Sequence, residues 1–195
     1  MKFRHAWRLW LASLALVAQP AHAQPHDPME NHRPEMSAAT PSPYAGMEKR
    51  NIKALSDQEI ADLKAGRGMG LALAAELNSY PGPLHTLELA DTLQLSDLQR
   101  SHVRALVAAM KAETIPIGEN IVAEEAALDR LFAERRVTQE SLDAATSRIA
   151  VALGLLRAAH LRYHLIMMNV LSPEQAEHYV ELRGYAANAH HDSGR

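Results

Sequence analysis

The residues best suited to bind a metal lie near the end of a long apolar segment. His160, His164 and Met168 stand four residues apart, so they share one ridge if the segment is a helix. Two neutral imidazoles one turn apart can hold a divalent ion, and the thioether of methionine is a softer ligand that copper accepts. Both histidines also fall inside or at the edge of an apolar stripe, where the alternative is a packed or hydrogen-bonded side chain.

A second pair of potential ligands lies on a short helix that is predicted for residues 84–93. His85 and Glu88 are separated by one helical turn. A single helix supplies too few ligands for a closed site, so this pair or a second copy of the chain would have to complete a site at His160 and His164. The sequence therefore leaves two possibilities open: the protein binds a divalent or copper ion, or it binds no cofactor.

Signatures of enzymatic chemistry are absent from the sequence. The chain has no cysteine, which excludes a thiol nucleophile, a thiolate metal site and a disulfide. It lacks the G-x-S-x-G and H-E-x-x-H motifs, and no Glu precedes a His by three residues as in carboxylate-bridged di-iron bundles. Residues 66–70 (Gly-Arg-Gly-Met-Gly) do not have the spacing of a phosphate-binding loop. We therefore expect a protein that is not an enzyme.

The N-terminus has the pattern of a secretory signal peptide. Basic residues precede an apolar run from Leu9 to Ala18, and an Ala-His-Ala site ends at Ala23. The run is about half of the ~20 residues that a membrane-spanning helix needs. We therefore predict cleavage after Ala23, a periplasmic location and no integral membrane segment.

Removal of residues 1–23 changes the charge and the aromatic content of the chain. Three of the 20 Lys and Arg residues lie there and none of the 23 Asp and Glu, so the mature chain has a net charge of −6. Such a chain, with interspersed signs, argues against nucleic acid as a partner. Trp7 and Trp10 also lie in this segment, which leaves a largely aliphatic core that suits packed helices.

The rest of the chain carries helix signals and no strand pattern. Residues 24–55 are rich in proline and polar side chains and predict a flexible linker, and residues 186–195 predict a disordered tail. The folded domain is therefore expected over residues 56–185. Side-chain caps predict four helix starts within it, at Ser56, Ser96, Thr138 and Ser172.

The two middle helices are predicted to be long. Apolar residues at steps of three and four run from Val103 to about Arg135 on both sides of Pro116, so we expect a kink there rather than an end. The next apolar stripe runs from Leu142 to Val170. Two long helices joined by a few residues bury their stripes as an antiparallel hairpin, so the predicted fold is all-α with short flanking helices.

Small residues recur in the segment before this hairpin. Gly66, Gly70 and Ala74 fall at four-residue steps after the cap at Ser56. On a continuous helix they would form a smooth strip against which another backbone packs closely. We predict such a strip, with Gly68 as the point where a break would occur. The sequence assigns no function to residues 56–83.

Two copies of a five-residue pattern stand at helix junctions, Leu-Ser-Asp-Leu-Gln at 95–99 and Leu-Ser-Pro-Glu-Gln at 171–175. Each is a capping box preceded by a leucine. In a secreted all-α chain this arrangement resembles the Spy/CpxP superfamily of periplasmic proteins, whose mark is a twice-repeated L-T-x-x-Q element. Serine replaces threonine in both copies here, and the resemblance covers about residues 84–184.

The resemblance implies two functions. Spy/CpxP-like proteins are ATP-independent chaperones or stress modulators in which a dimer of bent helical hairpins forms a cradle for unfolded clients. CnrX- and ZraP-type relatives use the same frame to bind metals. CnrX-like sensors carry H-x-x-x-M before the second motif, a pattern that His164 and Met168 match one residue out of register. Their histidine pair before the first motif falls near Thr86 and Ala90 and is missing here.

The sequence thus favours a periplasmic chaperone or envelope-stress modulator, with a heavy-metal sensor or resistance accessory protein as the alternative. The expected partners are unfolded periplasmic proteins or a membrane-bound stress-signalling protein. A thin hairpin leaves apolar surface uncovered, so we also expect a homodimer. Clients are expected to bind an aliphatic face that includes Leu106 and Met110.

Overall fold

The computed structural model describes residues 42–185, and its secondary structure in that range is helical. A short 3-10 turn at Met47–Lys49 precedes six α-helices, and the described residues contain no strand beyond one isolated bridge between Ile52 and Leu55. The all-α prediction is confirmed. The predicted signal peptide, the first part of the predicted linker and residues 186–195 lie outside the described range. The helices are α1 (Asp57–Lys64), α2 (Leu73–Glu76), α3 (Pro83–Glu88), α4 (Asp97–Ala133), α5 (Gln139–Met167) and α6 (Pro173–Leu182).

Local capping determines where four of these helices begin. In each case the cap hydroxyl accepts a hydrogen bond from the third helical amide, and the third side chain accepts one from the cap amide. This reciprocal pair satisfies two backbone donors that a helix start would otherwise leave free. The predicted starts are therefore confirmed. They lie at Ser56, Ser96, Thr138 and Ser172.

The longest helix, α4, continues through its internal proline. Pro116 and Ala112, whose carbonyl loses its amide partner, both lie on the solvent side, where water can replace the missing bond. The prediction that α4 does not end at Pro116 is correct. The short helix α3, in contrast, ends at Glu88 rather than near Leu93, and turns occupy the following residues.

Helices α4 and α5 pack against each other in antiparallel order. Ion pairs join Arg148 to Glu124 and Arg162 to Glu113. Residue numbers therefore increase along α5 in the direction in which they decrease along α4. By length and composition alone α5 could also cross a membrane. Core helices of soluble proteins meet the same criteria, and the inner face of α5 is buried against its neighbours.

The two copies of the repeated pattern meet at the open end of the α4–α5 pair. The side chains of Gln99 and Gln175 exchange hydrogen bonds, 2.7 Å from Gln99 Nε2 to Gln175 Oε1 and 3.3 Å in the reverse direction. Each amide group also bonds a backbone carbonyl near the other copy, at Val170 and Leu93. We call this pair the glutamine clasp. It ties the start of α4 to the start of α6.

The glycine-rich segment is not the continuous helix that we predicted. Helix α1 ends at Lys64, and Gly66 and Gly70 have φ values of +63° and +76°, which belong to turns and not to a right-handed helix. Residues 65–83, which we call the roof, instead fold back over the α4–α5 pair. A Cβ on Gly66 would lie 2.5 Å from Thr114 Oγ1 on α4, so glycine permits this close approach.

The folded domain begins before Ser56. Residues 42–55 belong to the same unit as the helices, although we assigned them to the linker. Ile52 is buried, and the backbone amide of Lys53 donates a hydrogen bond to Asp129 on α4. The end of the proline-rich segment is therefore fixed against α4 by specific contacts.

Candidate metal centre

A cavity of about 550 Å³ lies between the roof and the α4–α5 pair. The volume is in the range of small-ligand sites in proteins. Segment 65–83, part of the region 56–83 to which the sequence assigned no function, therefore forms a wall of this cavity. The side chains in the lining that could act as ligands are Met69, Glu76, His85, Met110, His160 and His164.

The structure places the two predicted histidine ligands, His160 and His164, in this cavity. His160 is 3% exposed and His164 is 7% exposed, although histidine is seldom so deeply buried. The two rings are one helical turn apart on the face that the roof covers. The spacing argument therefore identified two side chains that do share one enclosed space.

A backbone carbonyl fixes the orientation of the His164 ring. His164 Nδ1 lies 2.7 Å from the carbonyl oxygen of Tyr80, which can only accept, so in the neutral ring Nδ1 carries the proton and Nε2 the lone pair. His160 Nδ1 faces Gly68, and the backbone of Arg67 acts to raise the pKa of this ring. His160 Nε2 is buried and has no hydrogen-bond partner. Metal-binding histidines commonly have the arrangement of His164, with one ring nitrogen bonded to the protein and the other free.

The environment keeps His160 neutral. Burial lowers the pKa of His160 below its usual value, and the neighbouring His164 lowers it further. A neutral imidazole is the form that coordinates a metal. His160 Nε2 is thus a buried lone pair without a partner, which costs free energy unless a ligand or a donor occupies the cavity.

A buried carboxylate links the roof to the C-terminal helix. Glu76 is 6% exposed and accepts hydrogen bonds from the Tyr179 hydroxyl at 2.5 Å and the Tyr185 hydroxyl at 3.3 Å. Arg183 Nε lies 3.3 Å from the same oxygen, and His164 Nδ1 lies 3.7 Å from the other. Burial and the hydrogen bond to Glu76 raise the pKa of Tyr179. The protein partners of this carboxylate therefore converge on Oε1.

The remaining predicted ligands do not join the two histidines. Met168 is 42% exposed and does not line the cavity, because α5 ends at Met167 and the next residue turns outward. His85 lines the cavity, but its Nδ1 bonds Glu88 at 3.0 Å, and Glu88 is exposed outside the lining. Within residues 42–185 no three His, Asp or Glu side chains are placed to hold one ion.

The predicted client-binding residues are also placed differently. Met110 is 7% exposed and forms part of the cavity wall, and Leu106 packs against the core near the glutamine clasp. Met110 is therefore buried in the wall, whereas Leu106 remains partly exposed. Sequence reasoning missed the cavity roles of Met110, Met69 and Glu76, because their proximity to the histidines depends on how the roof folds back.

Comparisons with protein-family models, with characterised proteins and with solved structures found no match for this chain. A function must therefore be inferred from the described residues themselves. The chemistry they offer is two buried imidazoles beside thioether sulfur in one cavity.

Proposed function

We propose that this protein binds a metal ion through the imidazoles of His160 and His164. One observation carries the proposal: the two buried imidazoles line one cavity, the Tyr80 carbonyl orients the His164 ring, and His160 Nε2 has no hydrogen-bond partner. Preoriented rings lose little freedom when they bind, and the outer hydrogen bond makes the inner nitrogen more basic.

The size of the cavity suits an exchangeable ion rather than a structural one. Structural metal sites are closed, with four protein ligands, whereas functional sites keep an open position. A volume of about 550 Å³ exceeds what an ion alone fills and leaves room for water or an exchanging ligand. We therefore infer an accessory role in metal sensing or resistance, as in the metal-binding relatives within the Spy/CpxP resemblance. Export to the periplasm by the signal peptide over residues 1–23 is part of this proposal.

Titration calorimetry tests the metal site. The purified protein should bind at least one of copper, zinc and nickel, and the double variant His160→Ala/His164→Ala should lose that binding. A matched control, His102→Ala/His178→Ala, removes two exposed histidines outside the cavity and should bind like the wild type. Equal binding by the cavity variant and the control variant would place any site elsewhere and refute the proposal.

A chaperone function is the second candidate, and a surface other than the predicted one supports it. Val151, Leu155 and Leu165 are 63%, 55% and 59% exposed, and they share the outer face of α5 with Ala158 and with Arg162, which pairs with Glu113 on α4. The exposed aliphatic side chains of this face, which we call the stripe, suit either an unfolded client or a second copy of the chain. The expected homodimer would pack along this face.

Suppression of aggregation of a denatured test protein distinguishes the stripe from other surfaces. Leu155→Lys should weaken the effect, whereas Leu153→Lys, a matched change at an exposed leucine on another face of α5, should not. Equal activity of both variants would exclude this stripe as the client surface. Sedimentation of the wild type and of Leu155→Lys at micromolar concentration shows whether the same face forms the dimer.

A further inference from the structure

The two-histidine site needs a third ligand, and the cavity wall supplies one of a particular kind. Resting on the metal-binding proposal above, we propose that the ion is Cu(I), held by the imidazoles of His160 and His164 and the thioether sulfur of Met110, and covered by Met69 from the roof. Neither methionine belongs to the ridge of three residues that the spacing on α5 indicates.

The register of the α4–α5 pair places Met110 across from the histidines. Glu113 on α4 contacts both Arg162 and Tyr163 on α5. The helices are antiparallel. Met110, three positions before Glu113 on α4, therefore faces a point on α5 about three positions after Arg162 and Tyr163, which is near His164. Met110 is 7% exposed and lines the same cavity as both histidines.

The charges around the cavity disfavour a divalent ion. Among the described lining residues Glu76 is the single carboxylate, and its Oε1 already faces Tyr179, Tyr185 and Arg183. Three positive side chains also line the cavity, Arg67, Lys111 and Arg183. A divalent ion would add two charges to this positive environment, whereas Cu(I) adds one. Thioether and imidazole ligands match the softness of Cu(I), and zinc or nickel gain less from a thioether.

The backbone of the roof is shaped around Met69. This residue has φ +45° between Gly68 and Gly70, in a region that side chains other than glycine rarely adopt. Strain of this kind persists where the surrounding structure requires it, and it is concentrated at functional sites. Its effect here is to put a methionine into the cavity lining from the side opposite α5. Met69 is 42% exposed, so it can cover an ion without closing the cavity.

The test is an anaerobic competition titration of the purified protein against a chromophoric Cu(I) chelator. Met110→Leu preserves side-chain volume, so the fold should persist, as circular dichroism would verify. Loss of an outer hydrogen-bond partner alone weakens metal sites by about 10–100-fold, so loss of the sulfur ligand should weaken Cu(I) binding at least about tenfold. Met168→Leu, a methionine outside the cavity, is the matched control and should bind like the wild type. Met69→Leu should weaken binding less than Met110→Leu.

X-ray absorption at the copper edge gives a second readout. The wild type should show scattering from sulfur and nitrogen, and the sulfur contribution should decrease in Met110→Leu and persist in Met168→Leu. Zinc or nickel binding that depends on both histidines, with Cu(I) affinity unchanged in Met110→Leu, would overturn the copper assignment and leave the metal-binding function intact. Absence of all histidine-dependent metal binding would overturn both.

Discussion

A single methyl group at Gly118 should separate α1 from α4. A Cβ at this position would lie 2.2 Å from the carbonyl oxygen of Leu63, whereas ordinary contact begins at 3.4 Å, so α1 would have to retreat by about 1.2 Å. Alanine gains about 1 kcal/mol over glycine inside a helix. Overpacking costs about 1–3 kcal/mol, and the displaced α1 also loses part of the ~2 kcal/mol from the burial of Leu63. Gly118→Ala should therefore lower the free energy of unfolding by about 1–3 kcal/mol, measured by urea denaturation with helical circular dichroism.

Gly154 on α5 provides the matched control. It is also a glycine inside a long helix, but a Cβ there would have no atom within 4 Å. Gly154→Ala should therefore raise the free energy of unfolding by roughly 1 kcal/mol, through helix propensity alone. Equal stabilisation of both variants would show that α1 does not pack against Gly118. The position of the roof, which follows α1 in the chain, would then also be refuted.

Three further outcomes are expected for the purified protein without added metal. Gln99→Leu and Gln175→Leu should each lower the free energy of unfolding by about 1–3 kcal/mol, because the capping box is broken and the other amide loses one hydrogen bond. A double-mutant cycle should show a coupling of at least about 0.5 kcal/mol. Because the pKa of His160 is lower in the folded state, the unfolded state binds more protons below about pH 6.5. The free energy of unfolding should thus fall as the pH drops through this range, and His160→Gln should flatten that dependence in urea titrations. Tyr179→Phe should cost about 1–3 kcal/mol in thermal or urea unfolding, since the buried carboxylate of Glu76 loses its closest donor.

Helix starts could be predicted because their causes are local. Ser96 and Gln99 satisfy each other's backbone within four residues, and the same holds at Ser172 and Gln175. The pairing of these two motifs with each other was not predicted. It depends on the packing of α4 and α5, which brings together glutamines that are 76 positions apart.

The roof could not be predicted because its backbone is determined by distant partners. Periodicity put Gly66 and Gly70 on one side of a helix, but their positive φ values follow from close approach to α4. The unpredicted fold of the roof also affected the prediction of the metal ligands. Spacing along α5 identified His160 and His164, yet only the folded roof determines which side of that ridge is enclosed. That side includes Met110 and excludes Met168.

The glutamine clasp has a consequence for the order in which the chain folds. Residues 134–138 join α4 to α5, so contacts near this turn close a small loop and form at low entropic cost. The remaining contacts between α4 and α5 can then form one after another toward the clasp, and each closes a loop only a few residues longer than the one before. We therefore expect the end that contains the clasp and both cavity histidines to assemble last. Under the proposed function, an ion would reach the imidazoles before the roof covers them, and its binding would then help the roof to fold.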